Sequence, residues 1–326
     1  MVGLYAASAA CVFVLTVFAL RLLIPKLRSM KMGQKILDIG PRWHKSKEGT
    51  PTMGGIAFAI PLTLVLVVAM LAAPALDVKI NLPPLLLTLL LAVGNGAIGV
   101  VDDLTKFKKK QNEGLTAPQK YLLQLAMAGA FLALLRLYGE PDTSLSIPFI
   151  GFELELGWFY YVFALIFITG IINSVNLTDG IDGLASSVTL VVAVFLSVIG
   201  FTYGMGETAL LGGVTVGATL GFLVYNFYPA RVFMGDTGSL FLGGIVAGAA
   251  FIIDDPLCIA IAGIVYICEA MSDIIQVGVY KLTHKRVFRM APIHHHFEKC
   301  GWSEKKIVFV FSLVTLIASI VAYLGY

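Results

Sequence analysis

The stretch Asn173–Ala185 reads N-S-V-N-L-T-D-G-I-D-G-L-A and carries the densest set of groups able to do chemistry. Asn173, Asn176, Asp179 and Asp182 recur every three residues. If the backbone stays near helical, they lie roughly along one face. Gly180 and Gly183 let the chain bend or come close to a ligand. The stretch is flanked by two apolar runs, Trp158–Ile172 and Val188–Ile199. Carboxylates beside membrane-spanning segments are costly and usually line a polar cavity. The plainer reading is an N-capping loop, with Asp179 or Asp182 capping the next helix.

Three further clusters carry the same kind of chemistry. Asp102-Asp103 follows Gly94, Gly96 and Gly99, which point to close helix packing or a local break. Adjacent carboxylates cannot face the same way on a helix, so they take different roles among Mg²⁺ ligand, general base and nucleophile. Acidic residues near a helix C-terminus oppose the macrodipole, so something else must hold them there. The lysines Lys106, Lys108, Lys109 and Lys110 come next. Lys108–Lys110 read as an anchor to anionic lipid. Lys120, after Thr116-Ala117-Pro118, is placed to meet a phosphate.

Phe233-Met234-Gly235-Asp236-Thr237-Gly238-Ser239 sets a carboxylate between glycines beside two hydroxyls, at the start of an apolar run that Asn226 closely precedes. This is a magnesium and phosphate pattern, because helix N-terminal N–H groups bind anions and Mg²⁺ takes oxygen ligands; an Asp N-cap is the plainer alternative. Ala291–Glu298 reads A-P-I-H-H-H-F-E. Three consecutive histidines point in different directions, which argues against a three-histidine zinc site. A surface patch is one reading; contact of at least one histidine with a phosphate or a carboxylate is the favoured one. Glu269, Ser272, Asp273 and Gln276 form one polar face on an apolar stretch, expected to turn inward or into a groove.

The elements that must position these groups are membrane spans. Of the 326 residues, 58% are hydrophobic and only 13% charged, about half the charge of an ordinary soluble domain. The fold expected is all-α, polytopic and integral to the membrane, a single catalytic domain over residues 1–326. Ten spans are predicted, near 2–24, 54–73, 84–101, 118–138, 158–175, 184–203, 208–228, 239–253, 257–280 and 306–325. Val2–Ile24 lacks a basic leader and reads as a permanent span. Phe152, Leu154 and Leu156 alternate with Glu153 and Glu155, predicting a short β-hairpin with Ile147–Phe149 around Gly151, within 145–156. Four cysteines with no C-x-x-C pair predict no disulfide framework.

Basic residues concentrate in alternate connections. Lys26, Arg28, Lys31, Lys35, Arg42, Lys45 and Lys47 follow the first span, the lysine run follows the third, and Lys281–Lys306 follows the ninth. The positive-inside rule makes these connections cytoplasmic, puts both termini outside, and places every motif on the cytoplasmic face. An ion-coupled transporter would use Glu269 and Asp273 as a relay, but the acidic motifs cluster at one face and not at the midplane where transporter sites lie. A structural scaffold leaves the polar clusters unexplained.

Taken together, N-x-x-N-L-T-D-G-I-D-G-L-A, Asp102-Asp103, F-M-G-D-T-G-S and A-P-I-H-H-H-F-E resemble the motifs of the polyprenyl-phosphate N-acetylhexosamine-1-phosphate transferases. The histidine motif and Pro51–Gly55, P-T-M-G-G, point to the branch acting on the muramyl pentapeptide. The resemblance covers nearly the whole chain; Ile181 stands where leucine is usual. It implies that undecaprenyl phosphate and UDP-MurNAc-pentapeptide give lipid I and UMP with Mg²⁺ in the bacterial inner membrane. It further implies Asp236 as the metal ligand, Asp102 as the base and Asp103 sharing the site. His295 joins the catalytic set. Lys120, Thr52, Asn176, Asp179, Asp182, Asn226, Phe233, His294 and His296 would bind substrate. A homodimer is implied, a nucleic-acid partner is not, and a relative using UDP-GlcNAc is the alternative. The lipid acceptor calls for an open groove near the ninth span.

Overall fold

The computed structural model describes residues 2–30, 47–109, 114–138 and 143–326. Lys31, Lys35, Arg42, Lys45 and Lys110, part of the orientation argument, lie outside the described residues. The regular structure among the described residues is helical apart from one hairpin. The helices are α1 (Val2–Ser29), α2 (Ile56–Ala72), α3 (Leu82–Lys109), α4 (Ala117–Leu137), α5 (Phe159–Thr178), α6 (Leu184–Thr202), α7 (Gly206–Asn226), α8 (Gly235–Ile252), α9 (Pro256–Ala262), α10 (Ile264–Thr283), α11 (Ile293–Lys299) and α12 (Glu304–Gly325).

Every expected span meets a helix, but not every one of these helices is long and straight enough to count as a full crossing. Among the described residues eight helices are long and apolar enough to cross a membrane, which makes the protein multi-pass: α1, α3, α4, α5, α6, α7, α8 and α12. The second expected span is α2, which has only 17 residues. At a rise of 1.5 Å each, that is about 26 Å, short of a full hydrocarbon core. The ninth is not one rod: α9 and α10 meet at Gly263 with a bend of 83°. Hydropathy averaged over a window does not register a change of direction.

The hairpin is present, with the first strand shifted. β1 (Ser144–Ile147) pairs antiparallel with β2 (Phe152–Glu155), matching Ser144 to Glu155 and Ile147 to Phe152. Phe149 lies in the turn, not in the strand, with a φ of 74°. Its N–H donates to Gly325 O, and the Tyr326 hydroxyl donates to Ile253 O. Tyr5 packs edge-on against Phe201 beside the α6–α7 turn. Both chain ends therefore lie at the hairpin end of the bundle. The polar motifs lie at the other.

The centre of the bundle is α8, whose spanning window is 89% buried. It packs along α3 through small residues. A side chain on Gly99 would collide with the Asp236 backbone, and one on Gly244 would meet Ala92. The glycines near Asp102 thus serve close packing. They do not break the helix, since α3 runs unbroken to Lys109.

Candidate active site

Because α3 continues past Asp102 and Asp103, its C-terminal charge is met by Lys106, Lys108 and Lys109 in the last turn. Lys106 Nζ lies 2.6 Å from Asp102, 2.8 Å from Asp236 and 3.9 Å from Asp103. The three aspartates offer oxygens all within 4.8 Å of one another. The sequence reading left Lys106 unassigned, although its spacing of i+4 from Asp102 and i+3 from Asp103 is a helical contact spacing.

The two adjacent carboxylates do differ in what they touch. Asp103 turns to the start of α8, accepting from the Thr237 N–H at 3.0 Å, the Thr237 hydroxyl at 2.8 Å and the Asp236 N–H at 3.3 Å. The N-cap of α8, Met234, makes no side-chain cap bond. Asp103 supplies that cap from another helix, satisfying donors a helix start leaves orphaned. Gly235, at a φ of 69°, must stay bare: a Cβ there would sit 2.6 Å from Asp103 Oδ2 and 2.9 Å from Thr52 Oγ1. Asp102 accepts instead from the Leu115 N–H at 2.8 Å and keeps its other oxygen on Lys106.

Asp236 is the meeting point. Besides Lys106, it holds Lys120 Nζ at 3.0 Å and accepts from Asn176 Nδ2 at 2.9 Å. Lys120 stands in the first turn of α4, whose Thr116–Gln119 capping box fixes that turn. Asn176 also donates to Ser239 Oγ at 2.7 Å.

The four residues spaced by three do not share one face. Helix α5 stops at Thr178, and Gly183, at a φ of 77°, turns the chain into α6. Asn173 therefore pairs with Gln124, Asn176 with Asp236, and Asp182 with a third set. Capping does not explain the aspartates either, for α6 has no side-chain cap. Asp182 binds Lys47 Nζ at 2.7 Å and the Ala230 N–H at 2.8 Å, while its own N–H donates to Glu304. Lys47 also lies 2.6 Å from Glu304. Glu304 was not legible beforehand; an acidic residue in the first turn of a helix needs no special reading. Asp179 is half-buried between these sets. Burial, then the negative charges of Asp236, Asp103 and Asp182, push its carboxyl well above the usual range.

The histidines fall on α11 and diverge as expected. His294 Nδ1 lies 2.9 Å from Glu269, and His295 Nδ1 lies 2.6 Å from Glu298. His296 points away, accepting from the Arg289 N–H at 3.1 Å. The polar face of α10 carries this segment: Glu269 holds His294, and Gln276 accepts from the Val287 and Phe288 N–H groups. Asn226 is buried and occupied by Ser186 and the Val232 carbonyl, so it braces the loop into α8. Phe233 joins that loop to Pro51 and Gly54 by backbone bonds, which bring Thr52 beside the cluster.

The arrangement can therefore hold a hard cation on oxygen and anionic groups on lysines. The sequence matches the model of Glycosyl transferase family 4 over residues 85–254 and the phospho-N-acetylmuramoyl-pentapeptide-transferase signature 1 over residues 47–58. A phospho-N-acetylmuramoyl-pentapeptide-transferase of Clostridium perfringens (strain SM101 / Type A) is 46% identical over 302 residues, 93% of this chain and 90% of the relative. Those of Clostridium novyi (strain NT) and Clostridioides difficile (strain 630) are 42% and 44% identical, covering 98% and 95% of this chain and 95% and 94% of their own. The chain belongs to the phospho-N-acetylmuramoyl-pentapeptide-transferase family.

Proposed function

We propose that this protein transfers phospho-MurNAc-pentapeptide from UDP-MurNAc-pentapeptide to undecaprenyl phosphate, giving lipid I and UMP. The observation that carries the reading is the set of three carboxylates and two lysines at one end of the bundle. A lipid phosphate and a nucleotide diphosphate brought together need charge neutralised at one point, and this set can do it.

The residues fit a magnesium ion. The donors are carboxylate oxygens, buried or half-buried, and two ammonium groups already balance their charge. Asp236 would hold the ion with Asp102. When bound, Mg²⁺ neutralises the diphosphate and the charge that develops on the leaving phosphate. Lys106 and Lys120 are then free to hold phosphate oxygens. Asp103 keeps the start of α8 in place and so aims Asp236. Asp102 takes any remaining proton from the lipid phosphate. An oxygen of that phosphate attacks the β-phosphorus, its bond to the UMP oxygen breaks, and UMP leaves. Asn176 and Asp179 line the nucleotide side with Phe233 and Thr52, and Asp182, held by Lys47 and the Ala230 N–H, braces it from behind. His294 and His295 handle phosphate, and Asn226 and His296 act through the loops they brace.

The remaining expectations belong to the same proposal: residence in the bacterial inner membrane, a cytoplasmic site, termini outside and a homodimer. The polyprenyl chain would lie along α10, where Met271, Ile274, Ile275 and Val277 are exposed. The test is UMP release from purified protein given both substrates and Mg²⁺. Asp236→Asn and Asp102→Asn are each expected to lower it by at least about 10²-fold. Release that ignores both variants, or chelation of Mg²⁺, would sink the proposal. Phosphorylated enzyme trapped with nucleotide substrate alone would replace direct attack by a covalent route.

A further inference from the structure

Helix α10 is enclosed by the bundle over only half its length. Its buried side chains are Val265, Tyr266, Glu269 and Ser272. From Asp273 to Thr283 none is buried, so about 16 Å of helix runs with no side chain enclosed by protein. Its far end, beyond the stretch given above to the polyprenyl chain, stays apolar: Tyr280, Leu282 and then Val287 are exposed. Leu282, at 85%, is the most exposed large apolar side chain among the described residues. His284, at a φ of 55°, ends the helix there.

Cations are interleaved with these apolar groups. Lys281, Lys285, Arg286 and Arg289 are all exposed. Among the described residues none of the four makes an ion pair; Arg286 donates to Arg289 O and Arg289 to Lys299 O. Three carboxylates on α10, α11 and α12 are engaged elsewhere, Glu269 by His294, Glu298 by His295 and Glu304 by Lys47. Asp273 lies two turns back from Lys281. The segment therefore shows its surroundings a set of uncompensated positive charges around an exposed leucine.

In water, that surface leaves apolar area wetted for no return. At a bilayer surface both parts are satisfied: apolar bodies enter the acyl region, and lysine and arginine stems lie along it while their heads reach lipid phosphates. A bundle with eight crossing helices is ringed by a bilayer, so lipid is what meets the flank of α10. The charge selects which lipid, since each cation near an anionic surface adds to the attraction.

We propose that the end of α10, residues 280–289, is a docking surface for anionic glycerophospholipid. Leu282 and Val287 enter the acyl region, and Lys281, Lys285 and Arg286 take headgroup phosphates. The proposal needs the spans and not the reaction, so it stands apart from the phosphotransfer reading. The docked segment is tied to the histidine helix: Gln276 accepts from the Val287 and Phe288 N–H groups, and the Arg289 N–H donates to His296. Lipid held here steadies α11.

The experiment is amide exchange of the full-length protein in nanodiscs of phosphatidylcholine, with and without phosphatidylglycerol. Exchange over residues 281–289 is expected to be at least about fivefold slower with phosphatidylglycerol. The difference should vanish at about 1 M salt, where the screening length is about 3 Å. It should vanish also in Lys281→Gln/Lys285→Gln/Arg286→Gln, and persist in Lys108→Gln/Lys109→Gln at the end of α3. Equal exchange in the two lipids overturns the proposal, as does a difference that survives the triple variant or is lost in the α3 variant. The wild-type comparison of lipids and salt decides by itself where the triple variant fails to fold. Leu282→Ser should quicken exchange of the segment in both lipids; no change removes the apolar half. Polyprenyl phosphate in phosphatidylcholine is the last arm. Slowing by it that phosphatidylglycerol does not match overturns the phospholipid assignment and makes the segment an entry site for the lipid substrate.

Discussion

Asp102 and Asp103 are neighbours in sequence and opposites in use. Asp103 spends its oxygens on the start of α8, while Asp102 keeps one on Lys106. Asp103→Ala should therefore cost stability, about 1–2 kcal/mol for a lost cap, together with activity. Asp102→Asn should cost activity with little change in thermal midpoint. Melting both variants in one detergent checks the split; equal midpoints would refute it. Asp179 makes a prediction of opposite sign. Its folded carboxyl holds its proton above the unfolded value, so as pH rises past about 4 the unfolded chain ionises first and the folded state loses ground. Asp179→Asn removes that penalty. The variant should melt higher than wild type at neutral pH, with the gap closing as pH falls below about 4, and nucleotide turnover should fall at every pH.

Element boundaries decide which residues meet. The apolar runs were readable because a span needs about 20 apolar residues and leaves a long signature. The short α2 and the bend at Gly263 were not, because length and direction are set by what a helix packs against. The same holds for the motif residues. Their types announced cation and phosphate chemistry, but the end of α5 at Thr178 divides Asn176 from Asp182 and gives them separate partners. Lys106 was readable from its spacing alone. Glu304 and Lys47 were not, since nothing local to either sequence signals the other. At this scale α10 is the strut of the histidine segment. Gln276→Ala frees the Val287 and Phe288 N–H groups, and faster amide exchange over residues 285–292 is expected, with exchange in α3 and α8 unchanged. Uniform exchange across all three would contradict it.

The whole molecule is polarised along its long axis. Its chain ends and hairpin gather at one end, and the aspartate cluster, the histidines of α11 and the lysines that pair with the aspartates gather at the other. If the basic end faces the cytoplasm, an exposed thiol there reports it directly. Cys300, just past α11, is exposed and free. A membrane-impermeant maleimide should label it in inside-out vesicles and spare it in right-side-out ones, with Cys300→Ser as the control. Labelling in right-side-out vesicles alone would invert the orientation.

The enclosure of α8 bears on how the chain is made. A helix walled in by protein has no need of a lipid-loving exterior, which is why this one carries five glycines between Gly235 and Gly248 and has one of the lowest hydropathies of the crossing helices, 1.4. Left to itself in a bilayer it would be a poor guest. The chain synthesised before it, α3 and α5 above all, has to hold open a slot into which it can settle. During biogenesis the end that carries the three aspartates is therefore completed late, when Asp236 arrives against aspartates and an asparagine already threaded through the membrane, and a ribosome stalled before Gly235 would leave behind a bundle whose vacancy is filled by lipid.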